Sequence, residues 1–163
     1  MSAPVAASLR GLSVLVAVLL VVTLGARHVA PVPDLVLVLV VAWALLRGPV
    51  AGATVGLAAG WLLDVVPPGA THLGVQALTY AVAGALAGRA HVEGPVTAPR
   101  IALVALGASV VVEGVGVLGA LAGTAPVDLA AVVAQCLLTA TVAALVVPLV
   151  VAAERGLVRR RYG

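Results

Sequence analysis

GPVAGATVGLAAGWLLD, residues 48–64, sets glycine at positions 48, 52, 56 and 60 and ends on Asp64. Residues four apart lie one above another on a helix, so Gly52, Gly56, Gly60 and Asp64 form one narrow face. In lipid no hydrophobic drive brings helices together, and small residues matter because they let a second backbone come close. The stretch therefore reads as a helix-packing or partner face inside a membrane. Asp64, at the far end of it, needs a physical reason to be there.

The surroundings fit a membrane. Of 163 residues, 63% are hydrophobic and 9% charged, with a mean hydropathy of +1.26, whereas a soluble chain is roughly a quarter charged. Nine arginines and six acids cannot give a core of this size a polar shell. Charged and Pro/Gly-rich breaks divide the chain into six apolar runs, at about 9–26, 33–46, 49–66, 73–88, 101–122 and 127–153. A helix needs about 20 residues to cross a hydrocarbon core of about 30 Å, so the second and fourth runs must recruit flanking residues or thin the bilayer. A re-entrant hairpin of runs two and three is the alternative, and it would carry Arg47 into the membrane at a cost of roughly 2.5–3.5 kcal/mol. The expectation is an all-α integral membrane protein, a bundle of about six transmembrane helices forming one domain over residues 1–163.

Basic residues in short loops favour the cytoplasmic side. With six crossings, Arg10, Arg47, Arg89, Arg100, Arg155, Arg159, Arg160 and Arg161 fall on one side and Arg27 on the other. Both termini are then cytoplasmic, and the outer loops are residues 27–33, 64–72 and 123–127. The basic tail ERGLVRRRYG, residues 154–163, serves as a topology anchor with some attraction to anionic lipid. Helix dipoles favour acids at N-termini and bases at C-termini. Asp34 after Pro33, Asp128 after Pro126, and the run-closing Arg27, Arg47 and Arg89 obey this rule. Asp64, near the C-terminal end of run three, does not.

Two compensations for Asp64 are open: an ion pair with Arg27, or capping of the amides in the turn PPGATH, residues 67–72. Run four carries a seam of its own in Gln76, Tyr80, Gly84 and Gly88, so the glycine face can pack internally. Alternatively, the outer part of the stripe, around Gly56 and Asp64, receives a partner's transmembrane segment. Glu113 is the second polar residue to explain, because intramembrane acids are functional candidates. Ser109 lies one turn before it, and Gln135, Thr139 and Thr141 offer partners on run six. A neutral, hydrogen-bonded Glu113 locking runs five and six is the simplest reading.

Other patterns carry no chemistry. GVGVLG at 114–119 matches a dinucleotide fingerprint in letters only, without the strand-turn-helix unit that gives it meaning, and reads as a small-residue seam. Cys136 stands alone, so there is no disulfide framework. His28, His72 and His91 are scattered through loops, and the basic residues flank spans without interleaved aromatics, which argues against nucleic-acid binding. No catalytic, cofactor or metal residues emerge, and the expectation is a protein that is not an enzyme.

The stretch PDLVLVLVVAWALLRGPVAGATVGLAAGWLLDVVPPGATHLGVQALTYAVAGALAGR, residues 33–89, resembles the MreD family of rod shape-determining proteins. The positions carrying the resemblance are Pro33, Asp34, Arg47, Gly48, Gly52, Gly56, Gly60, Asp64, Gly69, Gly74, Gly88 and Arg89; residues 90–163 match in hydropathy alone. The resemblance implies a non-enzymatic inner-membrane component of the elongasome, acting in cell-shape determination and lateral peptidoglycan synthesis. Its implied partners are an MreC-like bitopic protein, RodA with its class B penicillin-binding protein, and the MreB filament. It also implies a fold similar to the S components of energy-coupling-factor vitamin transporters. A small-molecule uptake subunit is therefore the rival reading, and two Trp, two Tyr and no Phe supply few aromatic contacts for a ligand.

Overall fold

The computed structural model describes residues 32–65, 73–92, 94, 96–123 and 125–159, with side chains as far as Leu149. The first apolar run, Arg27, His28, His72, the PPGATH turn and residues 160–163 lie outside the described residues. Every regular element among the described residues is a helix: α1 (Leu35–Arg47), α2 (Pro49–Val65), α3 (Val75–Gly88), α4 (Ala98–Ala122) and α5 (Leu129–Arg159).

Punctuation in the sequence explains the boundaries. Asp34 caps α1, its carboxylate accepting from Leu37 N–H at 2.9 Å. Gly48 alone joins α1 to α2, at φ 87°, a left-handed conformation that glycine adopts without strain. Pro99 lies in the first turn of α4, where its missing N–H costs nothing. The one sizeable departure from expectation is α5, which continues through Glu154 and Arg155 to Arg159. The segment expected to be a basic tail is thus helical for most of its length, because nothing in residues 154–159 obliges the chain to stop once it leaves an apolar environment.

Among the described residues, only α4 and the Leu129–Leu149 part of α5 have the length and hydropathy to cross a membrane unaided. The other three helices have 13, 17 and 14 residues, short of the about 20 needed. α1 is the hub of the bundle and touches all four other helices. Nine of its thirteen residues are buried, the pattern of a helix that is apolar all round because protein surrounds it. α1 also begins deep in the bundle. The backbone N–H of Asp34 donates to Thr139 Oγ1 at 3.0 Å, and Thr139 lies ten residues into α5, roughly 15 Å along that helix. The first turns of α5 and the last turns of α4 therefore run past the start of the central helix. No residue of α4 beyond Ser109 is buried, and the first buried residue of α5 is Cys136.

Candidate functional site

The glycine stripe is filled. α2 and α3 form the most extensive helix pair, antiparallel and in a register that steps by four. A side chain at Gly52 would meet the carbonyl of Gly84, one at Gly56 the carbonyl of Tyr80, one at Gly60 the carbonyl of Gln76, and one at Gly88 the backbone of Gly48 and Pro49. Backbone lies against backbone along the whole stripe. The positions expected to form a seam on run four, Gln76, Tyr80, Gly84 and Gly88, are the ones met. The expectation that the outer part of the stripe receives a partner is corrected on this geometry: α3 already occupies the face, and no groove remains at Gly56.

Asp64 explains itself at the end of that seam. Its side chain is buried and accepts three backbone N–H groups, from Gly74 at 3.0 Å, Ala77 at 3.1 Å and Gln76 at 3.4 Å. These are donors of the first turn of α3, whose own N-cap, Gly74, has no side chain to offer. The first N–H groups of any helix lack intrahelical partners. Asp64 thus stands at the C-terminus of its own helix and at the N-terminus of the next, where the dipole favours it. Capping is the mode the sequence left open, but the capped amides lie after the PPGATH turn rather than inside it.

A second junction ties three helices together. The carboxylate of Asp34 caps α1 through one oxygen and accepts the Tyr80 hydroxyl of α3 through the other, while its backbone binds Thr139 of α5. All three residues are buried. The sequence marked Asp34 as an N-terminal acid at the start of run two and as a family position, Tyr80 as a seam position and Thr139 as a partner for Glu113. A legible signal was available, because a tyrosine in an apolar helix needs a partner for its hydroxyl when buried. Tyr80→Phe is expected to leave the Asp34 oxygen short of a donor and lower stability by about 1–3 kcal/mol. The check is a lower thermal midpoint in mild detergent with unchanged helical content.

Glu113 and Gln135 form the third polar contact. Gln135 Nε2 donates to Glu113 Oε1 at 2.8 Å, joining α4 to α5. Gln135 and Thr139 are four residues apart and so share a face of α5, and Glu113 lies within electrostatic reach of Asp34 and Tyr80. Ser109 and Thr141 do not join this group. Each donates to a carbonyl of its own helix, Ala105 and Leu137 respectively, both at 2.8 Å. The GVGVLG segment is corrected too, because a side chain at Gly114, Gly116 or Gly119 would meet nothing within 4 Å. It is an open face and not a seam within the described fold, for the reason that α4 has run past α1 at this level.

At the other end of the bundle, His91 Nδ1 lies 2.6 Å from the Leu45 carbonyl and holds the segment after α3 to the last turn of α1. Arg47 and Arg89 close α1 and α3 there, both exposed. Pro33 leads into α1 in partly buried, non-helical backbone. Among the described residues no three His, Cys, Asp or Glu side chains converge as metal ligands would.

Comparison with protein families matches residues 5–155 to the rod shape-determining protein MreD. No curated protein and no solved structure matches the chain. The match spans all five described helices up to Arg155 and extends the resemblance well beyond residues 33–89. An apolar all-helical bundle whose family positions Asp34, Gly48, the glycine stripe, Asp64 and Gly88 build its junctions, matched over nearly its whole length, belongs to the MreD family.

Proposed function

We propose that this chain is a non-enzymatic, multi-pass scaffold of the bacterial cytoplasmic membrane, with both termini cytoplasmic. In this reading it holds the transmembrane segment of an MreC-like bitopic protein within the machinery for lateral peptidoglycan synthesis. RodA, its class B penicillin-binding protein and the MreB filament are reached through that complex. Family membership supports a role in rod-shape determination, and the arginine distribution supports the orientation.

The observation that carries the partner site is the part of α4 and α5 that no other described residue covers. Glu113 and Gln135 are only half-buried there, beside the open positions Gly114, Gly116 and Gly119. An acid left against lipid is costly, and small residues admit a close backbone, so a partner helix bringing a hydrogen-bond donor fits this face. The interior polar groups favour a scaffold over an uptake subunit, since Asp34, Tyr80 and Thr139 bond to one another.

The test is capture of the tagged MreC-like partner by purified variants. Gly116→Leu and Glu113→Leu are expected to stay monodisperse and lose most of the captured partner, whereas Glu113→Gln keeps it by preserving a neutral hydrogen bond. Wild-type capture by both leucine variants would overturn the site. Loss of the fold by Gly116→Leu would instead assign the face to another segment of this chain.

A further inference from the structure

Three arginines, at the ends of three helices, lie at the end of the bundle opposite Asp64. The backbone of Gly88 lies directly against Gly48 and Pro49, which sets Arg89 beside Arg47. His91 bonds the Leu45 carbonyl and fixes the segment after α3 on the last turn of α1. Arg100, in the first turn of α4, donates through Nη2 to the Ala90 carbonyl at 3.2 Å, which brings its guanidinium to the residue that follows Arg89 in the chain. Arg47 is itself steadied over the Trp43 ring, 5.5 Å from the centroid.

All three arginines are exposed. Among the residues whose side chains are described no acid shares this end: Asp34, Asp64 and Asp128 belong to the opposite side of the fold, and Glu113 pairs with Gln135, while Glu154 lies in the last turns of α5. The cationic cluster is bordered by exposed apolar residues about one turn towards the middle of the bundle. Val50 follows Arg47 at 76% exposure, Leu86 precedes Arg89 at 41%, and Leu103 follows Arg100 at 70%.

We infer that Arg47, Arg89 and Arg100 form a binding site for the phosphate headgroup of an anionic phospholipid of the cytoplasmic leaflet. The inference rests on the orientation proposed above. Guanidinium presents a planar fork that fits phosphate oxygens in pairs, and basic pockets between membrane helices on the cytoplasmic side suit anionic headgroups. The apolar border selects a lipid over free phosphate or an acidic soluble protein, because Val50, Leu86 and Leu103 offer acyl chains a surface in direct continuation of the charge. A topology signal needs only the sum of charges; here the Gly48–Gly88 contact and the Arg100–Ala90 bond converge them on one place.

The experiment uses the full chain, delipidated in mild detergent, with thermal midpoint followed as phosphatidylglycerol, phosphatidylcholine or inorganic phosphate is added. Phosphatidylglycerol is expected to raise the midpoint saturably, and the other two are not. The triple variant Arg47→Gln/Arg89→Gln/Arg100→Gln is expected to need about a hundredfold more phosphatidylglycerol, while Arg159→Gln/Arg160→Gln/Arg161→Gln responds like wild type. Should the glutamine triple variant fail to insert, Arg47→Lys/Arg89→Lys/Arg100→Lys keeps the charge and removes the fork, and it is expected to weaken the response. An unchanged response in the variants, an equal rise with inorganic phosphate, or loss of the response in the tail variant would each overturn the site. A reporter fused after Arg89 reads orientation, and partner capture reads the scaffold function, so failure of either is told apart from failure of lipid binding.

Discussion

Gly56→Leu is expected to yield protein that aggregates in mild detergent where the wild type is monodisperse, and Gly56→Ala to fare nearly as badly. The obstacle is backbone. A Cβ at position 56 would fall on the Tyr80 carbonyl, with the Ala81 nitrogen close behind. Overpacked side chains can swing aside for about 1–3 kcal/mol, but a carbonyl held in the α3 ladder has no rotamer to change. The helices must instead separate, and because the register repeats at Gly52, Gly60 and Gly88, separation at one position loosens the whole seam. The expected loss is about 3 kcal/mol or more, a large part of a net stability that is typically about 5–15 kcal/mol. The near-equivalence of alanine and leucine is the discriminating feature. On a lipid-facing groove alanine would be harmless, so a Gly56→Ala protein with wild-type thermal midpoint and monodispersity would refute the packed seam. Gly116→Leu is the matched control, a larger side chain entering open space.

What the sequence disclosed depended on whether a feature repeats along one helix or joins two. The four-residue spacing of Gly52, Gly56 and Gly60 is local, and it showed a packing face and suggested the matching positions from Gln76 to Gly88. Helix limits were equally local, set by Asp34, Gly48-Pro49, Gly88 and the Pro/Gly breaks. The depth at which α1 starts was not legible, because it depends on Asp34 meeting Thr139, 105 positions away. That one contact decides much else. It moves Asp34 from a boundary into the interior, gives Tyr80 its partner, and leaves the ends of α4 and α5 projecting. The same projection explains why GVGVLG, sensibly read as a seam, meets none of the other described residues. Run six was legible as the source of a partner for Glu113, because Glu113 and its candidates are polar positions in apolar runs joined by a short connection, but the choice of Gln135 over Thr139 and Thr141 came from the packing.

Asp64 shows both the reach and the limit of such reasoning, and its removal should have the second large effect. Its position against the dipole of α2 implied a compensating group, and the structure supplies the first-turn amides of α3. In Asp64→Leu, the N–H groups of Gly74, Gln76 and Ala77 lose their common acceptor. Loss of a helix cap costs about 0.5–2 kcal/mol and each stranded buried donor about 1–3 kcal/mol, so a combined loss of about 3 kcal/mol or more is expected. Asp64→Asn separates charge from capping. Its single oxygen can serve Gly74 and Ala77, the two shorter contacts, and forfeits Gln76, the longest at 3.4 Å, for a loss of about 1 kcal/mol. Thermal midpoints should therefore fall in the order wild type, asparagine, leucine. Hydrogen exchange should quicken first at residues 74–77 in the leucine variant, while amides around Tyr80 in the middle of the seam stay protected. Equal midpoints for the leucine and asparagine variants would mean that water or another group caps α3 when Asp64 is gone. Fast exchange spreading through α2 and α3 alike would show that the clasp and the glycine seam form one cooperative unit.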